Sequence, residues 1–164
     1  MDQEFTLREA IELAITTEQL GADFYERMTR KFETDPELKG IFAQLARDEK
    51  SHEAQFKEIL ITVPENEGEP ERFEEHEFLR ATAISRFFRK EAFQDTDRIE
   101  DRDEALGRAL AFEKDTLLYY RALDDAFGGS DAVRKLADAE RQHVLTLMKV
   151  IMANAKFRSL QDTW

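Results

Sequence analysis

In a chain of 164 residues, a net charge of −12 argues against nonspecific binding to DNA, RNA or an anionic membrane, which needs a basic face. It contains no Cys, which excludes disulfides, thiolate metal sites and a cysteine nucleophile. Only six Gly and three Pro, set among many Glu, Ala, Leu, Arg and Lys, favour an all-helical single domain over 1–164. No apolar run approaches a membrane span, and Met1-Asp2-Gln3-Glu4 lacks the basic and apolar regions of a signal peptide, so the expected compartment is the cytoplasm.

The predicted elements follow from caps and apolar spacing. Thr6-Leu7-Arg8-Glu9 is a capping box that starts a first helix over 6–33, with an apolar stripe through Ala10, Ile11, Ala14, Ile15, Phe24, Tyr25 and Met28. Asp35 as cap and Pro36 at the first helical position open a second helix over 36–61, carrying Leu38, Phe42, Leu45, Phe56 and Leu60. Pro64 to Pro70 reads as a loop. A helix rich in Phe (73, 78, 87, 88 and 93) is expected over 72–93. Asp95, Thr96 and Asp97 offer caps for a helix over 98–127, which Gly128-Gly129 ends. Ser130 then caps a last helix over 131–156, followed by a tail over 157–164. The connection between the two long hairpins is too long for a simple loop. Helix 72–93 therefore reads as the crossover of a four-helix bundle made of two helical hairpins.

Glu-x-x-His occurs twice, as Glu49-Lys50-Ser51-His52 and Glu140-Arg141-Gln142-His143. Three residues are close to one helical turn, so Glu and His in each pair share a face. Each pair follows a helix with a lone Glu in apolar surroundings, Glu18 and Glu113. Aligning these Glu places Ala10 on Ala105, Ala14 on Ala109 and Tyr25 on Tyr120. Aligning Glu49 with Glu140 places Leu45-Ala46 on Leu136-Ala137 and His52 on His143, a weak internal repeat. Glu18 and Glu49 lie at similar distances from the first hairpin turn, as do Glu113 and Glu140 from the second, so all six residues can share one layer. Four carboxylates and two imidazoles in a bundle core are the ligand set of a di-iron or di-manganese carboxylate protein. The competing reading is a pair of ordinary histidines at the edge of the core.

Tyr25 and Tyr120 each follow their lone Glu by seven residues, which suits either core packing or a phenol bonded to a ligand carboxylate. Asp48 either is solvated or supports the ring N–H of a His on the facing helix; the repeat has Ala139 there, so such support is asymmetric. His76 reads as solvated surface. Glu65 to Glu77 holds seven Glu against Arg72, either a solvated acidic loop or a funnel for Fe²⁺. The Phe-rich crossover reads as core or a dimer interface, and Phe157, Leu160 and Trp164 as docking side chains.

At these residues the chain resembles the ferritin-like superfamily, and within it the rubrerythrin-like proteins. Glu18 with Phe24-Tyr25, Glu49 with His52, Glu113 with Tyr119-Tyr120 and Glu140 with His143 match that pattern in order, over about residues 5–156. The resemblance implies an all-α, ferritin-like four-helix bundle in which Glu49 and Glu140 bridge two metals. His52 and His143 would bind one metal each, with Glu18 and Glu113 as terminal ligands and Tyr25 bonded to a ligand carboxylate. The chain departs from the family in two respects. A full rubrerythrin carries a rubredoxin domain whose Cys-bound iron delivers electrons, and Cys is absent here. Rubrerythrins also tend to carry an extra carboxylate one turn after the lone Glu of the third bundle helix, where this chain has Thr116. No fifth long helix can be read after residue 156, so a ferritin cage is not expected.

These readings lead to an expected cofactor of two Fe ions, with Mn or Zn as alternatives, in an oxidoreductase of peroxidase or ferroxidase type. Its small substrates would be peroxide, O₂ or Fe²⁺, with electrons from an external donor. A homodimer is expected, with no nucleic acid and no membrane as partner. The alternative is a noncatalytic metal-binding or iron-handling bundle, and the sequence alone leaves the question of catalysis open.

Overall fold

Local signals set where the first two helices begin. The computed structural model describes residues 5–65, 73–88 and 95–161, with side chains described throughout these spans except at 73, 84–88 and 157–161. Helix α1 (Leu7–Lys31) opens on a complete capping box: Glu9 N donates to Thr6 Oγ1 at 3.1 Å, and Thr6 N to Glu9 Oε2 at 2.9 Å. Helix α2 (Pro36–Thr62) opens on Asp35, whose Oδ1 accepts from Glu37 N and Leu38 N, both at 3.1 Å. The crossover helix α3 spans Phe73–Phe88. Helix α4 (Arg102–Ala126) ends at Gly128 and Gly129, whose φ of 73° and 90° only glycine adopts readily. Helix α5 spans Asp131–Gln161.

Among the described residues, two boundaries differ from the sequence expectation by more than two residues. The fourth helix starts at Arg102 rather than 98, and its cap is Asp101, whose Oδ1 accepts from Asp103 N at 2.8 Å. Thr96–Arg98 form a short 3₁₀ turn instead. The reason is Ile99, extended and fully buried in the apolar cluster with Leu38 and Phe42, which holds the chain out of helix until Asp101. Helix α5 runs past residue 156 into the segment read as a tail, where Ala155, Lys156 and Arg158 are good helix formers and no Gly or Pro intervenes. The side chains of Phe87, Phe88, Phe157 and Leu160, and the residues Phe93 and Trp164, lie outside those described.

The architecture is an all-helical, ferritin-like bundle, and no strand occurs among the described residues. Helix α1 packs chiefly on α2, and α4 chiefly on α5, which makes two hairpins; α3 lies on α4 and touches α1. The core divides into two apolar clusters. One holds Ala10, Ile11 and Ala14 of α1, Phe56 of α2, Tyr119, Tyr120, Ala122 and Leu123 of α4, and Val133 and Leu136 of α5. The other holds Phe24, Tyr25 and Met28 of α1, Leu38, Phe42 and Leu45 of α2, Ala105, Leu106, Ala109 and Phe112 of α4, and Leu147 of α5. Every bundle helix therefore has a gap between its two apolar stretches. Glu18, Glu49 with His52, Glu113, and Glu140 with His143 fall in those gaps.

Among the described residues, no helix is long and apolar enough to cross a membrane.

Candidate metal centre

The four gaps face one another, so the polar residues form a single layer between two apolar plugs. Glu18, Glu49, Glu113 and Glu140 are at most 1 % exposed; His52 and His143 retain 6 % and 7 %. The ring nitrogen His52 Nδ1 lies 3.2 Å from Glu49 Oε2, 2.8 Å from Glu140 Oε1 and 3.8 Å from Glu18 Oε2. In the other half His143 Nδ1 lies 3.2 Å from Glu140 Oε2, 3.3 Å from Glu113 Oε2 and 3.7 Å from Glu49 Oε1. The two imidazoles stack with centroids 5.4 Å apart.

Two overlapping groups emerge. Glu18, Glu49, His52 and Glu140 bring one ligand atom each within 4.8 Å of one another, and so do Glu49, Glu113, Glu140 and His143. Glu49 and Glu140 belong to both. His76 belongs to neither; it sits half-buried on α3. Of the acidic run, Glu67, Glu69 and Glu71 lie outside the described residues, while Glu74 and Glu77 are exposed.

The tyrosines pair across the halves rather than within them. Tyr25 on α1 donates its hydroxyl to Glu113 Oε1 on α4, and Tyr120 on α4 donates to Glu18 Oε1 on α1. Each terminal carboxylate thus has one oxygen tied to a buried phenol and the other turned into the layer. Asp48 Oδ2 stands 3.5 Å from His143 Nε2.

The electrostatics are those of a site short of positive charge. Burial, reinforced by the charge of Glu140, pushes Glu18 up to about 7 and Glu113 up to about 8. Burial and the neighbouring carboxylates push Glu49 up as well, and Tyr25 is raised by burial and the charge of Glu113. Burial would lower His143, but its bonds to Glu113 and Glu140 overcome this and raise it to about 11. His52 is raised in the same way through Glu140. Glu140 moves the other way: its contacts with both histidines outweigh burial and hold it below the usual carboxylate range.

The donor set fits a cationic cofactor. Glu18 Oε2, Glu49 Oε1 and Glu140 Oε1 are buried without a hydrogen-bond partner; the close approach of His52 Nδ1 to Glu140 Oε1 lies outside hydrogen-bond geometry. Buried carboxylate oxygens of this kind are costly unless a charge compensates them.

The sequence model of the rubrerythrin family matches residues 9–99, more than half of the chain. This chain belongs to the rubrerythrin family. The match spans α1 to α3 and contains Glu18, Tyr25, Glu49 and His52, whereas Glu113, Glu140 and His143 lie beyond it and are joined to the first half by geometry. No curated protein and no solved structure matches the chain.

Gly21 is a wall of the rubrerythrin-family site that the sequence reading missed. A Cβ there would stand 2.8 Å from Phe112 Cε1 and 3.3 Å from Glu49 Cγ. A lone Gly inside a long helix, one turn after Glu18, was the available signal. Thr116, at the repeat-related position after Glu113, is buried and donates its hydroxyl to Phe112 O at 2.9 Å.

Proposed function

We propose that this protein is a di-iron carboxylate oxidoreductase of peroxidase or ferroxidase type, with Glu18, Glu49, His52, Glu113, Glu140 and His143 as its metal ligands. The observation that carries the reading is the pair of overlapping four-ligand groups sharing Glu49 and Glu140, with buried inward oxygens that lack a hydrogen-bond partner. Hard carboxylates with one imidazole per group suit iron, and also manganese or zinc. Bound iron supplies one electron per ion, so two ions match the two-electron reduction of peroxide to water.

The residues divide the remaining work. Glu49 and Glu140, common to both groups, would link the two ions. Tyr120 and Tyr25 orient Glu18 and Glu113 by holding a phenol proton on one oxygen of each. The apolar clusters above and below exclude bulk water from the layer. With no Cys in these 164 residues to hold a thiolate-bound iron relay, electrons would come from a donor outside them. A cytoplasmic homodimer belongs to the same proposal; Phe78 on the crossover helix, 52 % exposed, supports a packing face there.

One observation favours a noncatalytic metal-binding bundle as a second reading. Thr116, bonded back to its own helix, offers no extra carboxylate beside Glu113. The readings separate when metal-stripped protein is loaded anaerobically with Fe²⁺ and mixed with peroxide. Rapid iron oxidation, seen in the near-ultraviolet and lost in Glu49→Ala, is the expected result. Firmly held zinc, with Fe²⁺ oxidised no faster than in buffer, would reject catalysis in favour of the second reading.

A further inference from the structure

The two halves of the centre match on the inside and differ on the outside. Each imidazole turns Nδ1 into the carboxylate layer, and each terminal Glu takes one tyrosine hydroxyl. The outer ring nitrogens are not equivalent. His143 Nε2 faces Asp48 Oδ2 at 3.5 Å, and a shift of a few tenths of an ångström closes a hydrogen bond. Asp48 is oriented for this: its Oδ1 accepts from Gln44 Nε2 at 2.7 Å, and Gln44 Oε1 accepts from Arg47 Nη2 at 2.7 Å. The repeat-related residue, one before Glu140, is Ala139, which offers His52 no acceptor.

We infer that Asp48 makes the two metal positions unequal: the position built on His143 and Glu113 fills first and holds its ion more tightly than the position built on His52 and Glu18. The inference rests on the di-metal reading above. An imidazole that binds a cation through Nδ1 carries its proton on Nε2. An acceptor there fixes that tautomer and the ring orientation and makes the ring a stronger donor; a negative acceptor adds charge compensation. Losing such a partner costs about 10–100-fold in metal affinity, which sets the expected difference between the positions. Repulsion between two cations also separates the binding steps, but it does not choose which position fills first and does not depend on Asp48. The His52 position is then the exchangeable one, where an ion enters and leaves while the His143 position stays loaded.

Anaerobic titration of the metal-stripped chain with Co²⁺ tests this, with calorimetry for the stepwise affinities and NMR of the paramagnetically shifted histidine ring protons for the order of filling. At one equivalent, His143 signals are expected to shift and His52 signals to remain. Asp48→Ala is expected to reduce the ratio of the two affinities by about 10–100-fold. Asp48→Asn, which keeps an acceptor without the charge, is expected to fall between, and Ala139→Asp to tighten the second step. Filling of His52 first, or of both positions together, overturns the inference. So does an unchanged affinity ratio in Asp48→Ala and Asp48→Asn with native helical circular dichroism. Failure to bind Co²⁺ at all overturns it together with the di-metal reading, so the two failures are told apart.

Discussion

Removing the metal should make the stability of this fold decline as pH rises. Without a cation the carboxylate layer depends on protons, and the folded chain holds Glu18 near 7 and Glu113 near 8 against an ordinary 4.5. In the unfolded chain both groups release their protons near the ordinary value. Between there and about 8 the folded state therefore binds more protons than the unfolded state. Each such proton lowers stability by about 1.4 kcal/mol per pH unit as pH rises. The contribution is complete below the ordinary value and gone once pH passes the folded values. His143, raised to about 11, adds a slope of the same sign above 6.5. Glu140, held below its ordinary range, contributes the opposite slope, confined to acid below that range.

One retained proton between pH 5 and 7 amounts to about 3 kcal/mol. For a chain of this size that moves Tm by roughly 6–12 °C. Scanning calorimetry of the metal-stripped protein at pH 5, 6, 7 and 8 should show Tm falling by at least this much. The stabilisation gained on adding metal should grow over the same interval, because the ions displace protons that are more weakly held at higher pH. Glu113→Gln removes one of the two carboxyls without changing its shape. It should raise the Tm of stripped protein at pH 8 while weakening metal binding. A stripped protein whose Tm stays level or climbs from pH 5 to 8 would refute the reasoning, as would a Glu113→Gln variant less stable than wild type at pH 8.

Three further outcomes are expected. Tyr25→Phe and Tyr120→Phe each release one oxygen of a terminal carboxylate and should weaken Co²⁺ binding about tenfold or more in competition titrations, at the Glu113 and Glu18 positions respectively. Gly21→Ala drives a methyl into Phe112 and against Glu49, and should cost about 1–3 kcal/mol in urea unfolding together with a loss of metal affinity. Leu106→Ala opens a cavity in the apolar cluster away from the carboxylate layer. It should cost about 2–5 kcal/mol while leaving the number of bound metal ions unchanged, so that stability and site integrity separate.

What the sequence made legible here is what helix periodicity decides locally. Glu49 with His52, and Glu140 with His143, share a face because one turn separates them, whatever the helices pack against. The apolar surroundings of a lone Glu on the helix before each pair could be read the same way, and they singled out Glu18 and Glu113. The start of α4 could not, since Asp95, Thr96 and Asp97 are as good caps as Asp101. What decides between them is Ile99, buried under side chains from α1 and α2, a tertiary demand that no local signal carries. Gly21 is similar: its need for a bare backbone comes from Phe112 on another helix.

The tyrosines mark that boundary most sharply. Tyr25 and Glu18 lie two turns apart on one helix, nearly on the same face, and a reading along the chain pairs them. Two turns are about 11 Å, too far for a phenol to reach back. The hydroxyl instead meets the carboxylate that a neighbouring helix presents at its own level, so Tyr25 serves Glu113 and Tyr120 serves Glu18. Each half of the repeat thereby orients the lone carboxylate of the other, and neither hairpin completes its own half of the centre. The same holds for the shared pair, since His52 on α2 approaches Glu140 on α5 more closely than it does Glu49 on its own helix. A centre assembled in this way requires both hairpins to dock at one depth. On the proposed di-metal reading, metal affinity should therefore report on the docking of the two hairpins as well as on the six proposed ligands.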